Sequence, residues 1–372
     1  MNKDDTKPQT RCETTQAPNM LAMTGDNFYN ENSDQQYLAM EASLPLFADL
    51  KLGSNVTIAD YGCSQGASSI TAMQMLVARL PAGSTATLIF NDLPSNDFNS
   101  LIKLLPTISP SDPTTTIYPS IAPTSFYNPV VPTSTVDIAF ALSSVHWLRE
   151  MPKPKSVAES IEEYLSKRSA RNSEASHRDL VEFLTLRSSE VKNGGKLILA
   201  APSPTADNSD GRVSGNEKLR LAVFKAIELL IEEGKLPTNA IDRIYPPSHV
   251  HSEETLRAAI TETQGAWDVE KVYNRVIPHP AYQTMVESQM KAENEETKVN
   301  ATKIYAKVAI DWILAVFKPF MTGWWMEQGI EESHCEELFQ ECSKKAKDEF
   351  WRNGGTEFPV AQDFVFMRLG RQ

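Results

Sequence analysis

The residues best suited to chemistry fall in two short stretches. The first is Asp60-Tyr61-Gly62-Cys63-Ser64-Gln65-Gly66, and the second brings Asp92 soon after it. Gly62 and Gly66 let the backbone approach a ligand closely. A carboxylate beside such a turn accepts hydrogen bonds from ligand hydroxyls. Ser64 sits in the spacing G-x-S-x-G, which also describes an activated serine nucleophile. Further on, Ser143, Ser144, His146 and Trp147 follow an apolar run and add an imidazole and an indole N–H.

These groups need strand ends to hold them. Val56 to Ala59 is short, apolar and partly β-branched, so it reads as a buried strand ending at Asp60. From Ala67 onward Ile70, Met73, Leu76, Val77 and Leu80 recur every three to four residues, the period of a helix. Strand, glycine turn and helix form the first unit of a nucleotide-binding α/β sheet, with free N–H groups at the helix start. Thr85 to Phe90 predicts the second strand and places Asp92 at its tip. Val136 to Leu142 predicts a fourth, which delivers Ser143, Ser144, His146 and Trp147 to the carboxyl edge, where ligands bind in such sheets.

The turn itself admits two opposed readings. One is the nucleophile elbow of an α/β-hydrolase, with Ser64 as nucleophile and Asp242 and His279 as candidate partners. The other is the cofactor turn of a class I methyltransferase. The second strand separates them, because an acidic residue at its tip suits a ribose and has no role in an esterase. No HGGG-type oxyanion loop appears. The run Asn91-Asp92-Leu93-Pro94-Ser95-Asn96-Asp97-Phe98-Asn99, with Ile58-Ala59-Asp60 and the turn, resembles the SABATH methyltransferases, the salicylate, benzoate, jasmonate and caffeine-pathway enzymes. Tyr29-Asn30-Glu31-Asn32-Ser33 with Gln36, Ser125-Phe126-Tyr127, Leu142 to Leu148, and Asn193-Gly194-Gly195-Lys196 are also similar to that family. The likeness runs in order from about residue 20 to 370.

The resemblance implies a Rossmann-like class I methyltransferase sheet of the α/β class, with a mostly helical cap over the ligand edge. It implies S-adenosyl-L-methionine as cofactor and S-adenosyl-L-homocysteine as product. Ser33, Asp60, Gly62, Ser68, Asp92, Leu93, Ser125 and Phe126 would hold the cofactor: Asp92 on the ribose, Asp60 near the methionyl amino group, Ser33 on its carboxylate, Ser125 and Phe126 beside the adenine. Gln36 and Trp147 would tether the carboxylate of a small acid, aromatic, unsaturated or dicarboxylic, for esterification in secondary metabolism. His146 departs from the salicylate-type enzymes, which carry methionine or another apolar residue there. His146 therefore fits either a second polar group on the substrate or a base for a phenol or ring nitrogen, the alternative O- or N-methyl transfer. A homodimer is the family expectation.

The chain has 372 residues, with 41% hydrophobic and 23% charged, an ordinary composition for a packed protein. A net charge of -12 argues against nucleic acid or an anionic membrane surface as the main partner. Cys12, Cys63, Cys335 and Cys342 form no C-x-x-C pair, so neither a metal site nor a disulfide framework is expected. No apolar run is long enough for a membrane span and no signal-peptide core appears. A cytoplasmic location is the default expectation.

Organisation follows from pattern. Residues 1–19 predict a disordered tail. Residues 20–205 predict the methyltransferase core, with a lid helix in Met20 to Leu50 and a charged helical insertion near 152–178. Asp179 to Lys192 is amphipathic, and Gly194-Gly195 reads as its C-cap before a fifth strand. Residues 206–265 and 279–350 predict a helical cap, 266–278 a core strand and 351–372 a closing core strand. Thr297 to Phe320 and Ile330 to Phe350 read as helices separated by Trp324-Trp325, and Tyr245, Trp312, Phe320, Trp324 and Trp325 are candidates to line the pocket.

Overall fold

The computed structural model describes residues 22–25, 28–150, 161–205, 212–238, 240 and 246–372. The tail expected over residues 1–19, and Tyr245 and Asp242, lie outside them.

The short apolar run after Asn55 forms strand β1 (Asn55–Tyr61). Its alternating side chains enter two different cores. Val56 and Ile58 pack on one face with Ala72, Met73 and Leu76 of α3 (Ala67–Val77). Ala59 and Tyr61 pack on the other with Leu180 and Phe183 of α5 (Ile161–Glu190) and Leu256 of α7 (Glu253–Glu262). A strand buried on both faces belongs inside a parallel sheet. β2 (Thr85–Asp92), β3 (Thr116–Pro123), β4 (Val136–Leu142), β5 (Val191–Ser203), β6 (Trp267–Pro278) and β7 (Ala361–Arg371) complete it in the order β3-β2-β1-β4-β5-β7-β6. β1 to β5 pair in parallel, and β7 is antiparallel to both β5 and β6. The chain winds in opposite directions from β1, so the tips of β1 and β4 open a crevice.

Helices α6 (Arg212–Glu232), α8 (Pro280–Met290), α9 (Glu295–Glu327) and α10 (Glu332–Arg352) bury Leu230, Tyr305, Ile310, Leu338 and Phe350 in a third core that contains no strand residue. The helical layer thus has its own hydrophobic support, and α1 (Phe28–Glu31) and α2 (Asp34–Ser43) lie between it and the sheet edge. Among the described residues no helix is long and apolar enough to cross a membrane.

Several local expectations need correction. The lid is not one helix: it breaks after Glu31, and Ser33 stands at the N-cap of α2. Residues 151–160 lie outside the described residues, but 161–178 are no separate insertion, because they form the first half of α5. Gly194-Gly195 is not a helix C-cap. It lies inside β5, where the register jumps from Val136↔Val191 to Ile138↔Lys196, and Gly194 takes a φ of 80° within that bulge. β3 carries Pro119 and Pro123 on an exposed edge strand, where proline is tolerated. α9 passes straight through Pro319, so Trp324 and Trp325 are buried in its last turns and pack in the helical core instead of the crevice.

One buried ion pair fixes the wall of the crevice. Arg187 and Glu190 of α5 are both almost fully buried and 3.0 Å apart. Arg187 also donates to the carbonyls of Phe126 (2.8 Å) and Asn128 (3.1 Å), while Glu190 accepts from the Val130 N–H (2.6 Å) and the Tyr61 hydroxyl (2.7 Å). The loop after β3 is therefore tied to α5 and to the end of β1. Removing one partner leaves a buried charge uncompensated. Glu190→Ala is expected to destabilise the fold by about 3–5 kcal/mol, read as a lowered denaturant midpoint; an unchanged midpoint would show that the pair carries no structural weight.

Candidate active site

The turn after β1 leads into α3 through two residues that only glycine suits. Gly62 has a φ of 95°, and a Cβ there would lie 2.4 Å from Ser144 Cβ. Gly66 has a φ of 96°, and its Cβ would lie 2.4 Å from Leu101 Cδ1. The tight turn brings Asp60, Ser64 and Ser68 against the tips of β2 and β4. A cleft opens there, bordered by Ser33, Gln36, Asp60, Gly62, Ser68, Asp92, Leu93, Phe126 and Trp147. Ser125 does not line it; its Oγ accepts from the Tyr127 N–H at 3.2 Å.

Both carboxyls are strongly desolvated. Burial raises Asp60 from its ordinary 3.8 to about 8, with the Asp92 charge adding to the rise and Ser69 opposing it. Burial raises Asp92 to about 6, against two backbone donors, Ser64 N–H and Leu93 N–H, each at 2.7 Å. Ser64 (φ 48°) and Ser143 (φ 61°) hold left-handed backbone at the tips of β1 and β4, and each has a buried Oγ without a protein partner among the described residues. Such strain and unmet hydrogen-bonding capacity mark a ligand site. The donor set fits an adenosyl cofactor with an amino-acid arm. Asp60 suits an ammonium, Asp92 a ribose diol, and Leu93 and Phe126 an adenine plane, while the Ser33 hydroxyl, expected on a carboxylate, donates to the Asn30 carbonyl at 3.1 Å.

A second cavity adjoins the first, and Tyr29, Gln36, Ser143 and Trp147 line both. His146 borders the second alone. Trp147 is held by rings on two sides, stacked on Phe320 (5.9 Å between centroids, 16°) and tilted against His146 (4.8 Å). Its carbonyl accepts from the Tyr127 hydroxyl at 2.6 Å. Burial lowers His146 from 6.5 to about 3, with nearby His251 adding to the fall, and its Nδ1 has no protein partner among the described residues. Gln36 Oε1 accepts from Trp312 Nε1–H at 3.1 Å, which orients the amide.

Ten of the eleven predicted residues thus border the two cavities, with Ser125 the exception. Tyr29 and Ser143, given no role from sequence, also line the cavities, and so do Phe320 and Trp312, named from sequence as pocket-lining candidates. Tyr29 and Ser143 stood inside the motifs already quoted. Phe320 and Trp312 come from α9, where an aromatic in a helix looks the same whether it faces core or cavity. The hydrolase arrangement is absent from the described residues: His279 caps α8, accepting the Ala281 N–H, and Ser64 Oγ has no partner. No group of three or more His, Cys, Asp or Glu among the described residues is placed to hold a metal.

Comparison with known proteins agrees with this geometry. Residues 16–367 match the family described as SAM dependent carboxyl methyltransferase. Methyltransferase LUC1 of Fusarium sp is 27% identical over 371 residues, spanning 95% of this chain and 98% of that protein. Gibberellic acid methyltransferase 2 of Arabidopsis thaliana is 30% identical over 285 residues, 68% of this chain and 74% of that one. A solved loganic acid methyltransferase with SAH superimposes with a TM-score of 0.62 at 21% identity, covering 95% of this chain and 99% of that chain, which shows a shared fold. The fold is the Rossmann-like class I methyltransferase sheet, and the cofactor is S-adenosylmethionine.

The raised carboxyls have a measurable consequence. Folded Asp60 keeps its proton up to about pH 8, whereas an unfolded carboxyl loses it near 3.8. The folded state binds the extra proton across that window, so this contribution to stability is full at acid pH and lost as pH rises through about 8. The melting temperature of the ligand-free protein should fall across the window, and Asp60→Asn should flatten the fall. Affinity for S-adenosylmethionine should rise over the same range with release of protons, measured by calorimetry in buffers of different ionisation enthalpy. Asp92→Ala should weaken cofactor binding by roughly 1.5–3 kcal/mol. Unchanged affinity in a folded Asp92→Ala protein would displace Asp92 from the ribose.

Proposed function

Because the chain belongs to the SAM-dependent carboxyl methyltransferase family, we propose that it forms the methyl ester of a small carboxylic acid held by Gln36 and Trp147. The observation that carries this reading is the aperture between the cavities, where an amide and an indole, both neutral donors, border both spaces. The bound cofactor supplies an electrophilic methyl carbon on a sulfonium.

The protein's part is placement. A carboxylate is already ionised at neutral pH, its ordinary pKa being about 4, so no base is needed. Gln36 N–H and Trp147 Nε1–H orient it and exclude its water, which makes proximity the main effect. A lysine or arginine at the aperture would instead stabilise the charge that transfer removes. Phe320 stacks on Trp147 and keeps the indole plane fixed. The alternative, in which His146 deprotonates a phenol or ring nitrogen, loses its support here, because an imidazole held to about 3 is a poor base. His146 instead serves as a neutral polar wall. Arg220, Asn216 and Gln362 border the second cavity and not the first, which favours an acid with a second polar or anionic group.

A panel of aromatic, unsaturated and dicarboxylic acids, phenols and ring-nitrogen compounds, incubated with labelled cofactor, checks the proposal. Acids should accept the methyl group, with the lowest KM among those bearing a second anionic group. Exclusive methylation of phenols or heterocycles would overturn it. Gln36→Ala should raise the KM for the acid by about tenfold, the worth of one hydrogen bond, and leave cofactor affinity unchanged. The assembly proposed alongside is a cytoplasmic homodimer, for which light scattering should report twice the 41.4 kDa chain mass.

A further inference from the structure

Gln36 is useful as a tether only if it presents its N–H side to the acceptor. An amide has two faces of opposite polarity, and the two differ little in shape. In this structure Gln36 of α2 meets Trp312 of α9, whose Nε1 lies 3.1 Å from Gln36 Oε1. An indole N–H can donate and cannot accept. Turning the amide over would therefore set donor against donor and leave the Trp312 N–H without a partner. The phenol of Tyr29 also borders the aperture. Trp312 is itself braced, with the His279 ring edge-on at 5.6 Å, and His279 is fixed by its backbone N–H to the Val360 carbonyl at 2.8 Å.

We propose that Trp312 is a positioning residue that locks the donor face of Gln36 toward the acceptor, and so selects groups that accept hydrogen bonds over groups that donate them. The inference rests on the carboxylate reading above and adds its selectivity. A free glutamine could turn its carbonyl to a phenol O–H or a ring N–H. A locked one offers such a group a donor against a donor. Nothing in the indole need touch the substrate for this to hold, because the effect passes through the Gln36 amide.

The test replaces Trp312 with phenylalanine, which keeps an aromatic ring and removes the N–H. In the Trp312→Phe protein the KM for the acid should rise about tenfold with a smaller change in kcat and an unchanged cofactor affinity. Phenol and ring-N–H compounds should gain relative to the acid. Gln36→Ala added to that background should cost less than the about tenfold it costs in the wild-type protein, because an unlocked amide presents its donor face only part of the time. A folded Trp312→Phe protein with wild-type KM and wild-type selectivity overturns the inference, and so does an additive double variant. If Trp312→Phe does not fold, Gln36→Glu decides: Trp312 can still donate to one carboxylate oxygen, and the other turns the open face into an acceptor. Acid methylation should then fall at least about a hundredfold while neutral N–H and O–H compounds bind better; retained preference for the acid overturns the inference. Failure of the wild-type protein to methylate any acid would instead overturn the carboxylate reading itself.

Discussion

The whole ligand edge is shaped by two carboxyls at the tips of neighbouring strands, Asp60 buried and Asp92 half-buried. Asp60 of β1 pairs in register with Phe90, which brings it close to Asp92 at the end of β2. Neither has a cationic partner among the described residues, and the Asp92 charge raises the cost of ionising Asp60. A protein selected for stability alone would place asparagine or alanine there. The desolvation is useful only toward a ligand that brings its own positive charge and its own hydroxyls. Stability is given up locally so that the cofactor restores it on binding, the usual relation between a binding site and its fold.

Water must be kept from those carboxyls, and the lid does this through one buried glutamine. Gln65, in the cofactor turn, is fully buried. Its Nε2 donates to the Thr24 carbonyl, its Oε1 accepts from the Asn30 N–H at 3.4 Å, and its own carbonyl accepts from Asn30 Nδ2 at 3.3 Å. Thr24 Oγ1 in turn donates to the Ala315 carbonyl of α9 at 3.0 Å. The turn that holds the cofactor is thus connected through the lid to the helix that carries Trp312 and Phe320. Ordering of the cofactor side and of the acceptor side are linked by a short run of hydrogen bonds.

Much of this site was readable from sequence because its residues sit in local patterns. Asp60, Asp92 and Trp147 each follow a short apolar run, and a strand tip can be located from such a run without knowing the rest of the fold. Trp312 could be suspected but not assigned, since its partner Gln36 is 276 residues away. Gly194-Gly195 misled for a different reason. A glycine pair after an amphipathic stretch serves equally as a C-cap or a strand bulge, and the choice was made by the register of β4 against β5. Ser143 and Ser64 carried no sign of their left-handed backbone, because serine rarely adopts it and neighbouring strands impose it here. α9 continues through Pro319, because packing on both sides of the helix outweighs one lost hydrogen bond.

The position of β7 bears on how the molecule is made. It is the last strand in chain order, yet it lies between β5 and β6. β5 and β6 are both made before β7, so the slot between them stays open until β7 follows. Until β7 leaves the exit tunnel, the nascent chain exposes two unpaired edges flanked by Leu197, Ile198 and Leu199, which end fully buried. Closure of the sheet therefore waits for β7, and two open edges are exposed to wrong pairing for longer than in a sheet assembled in chain order.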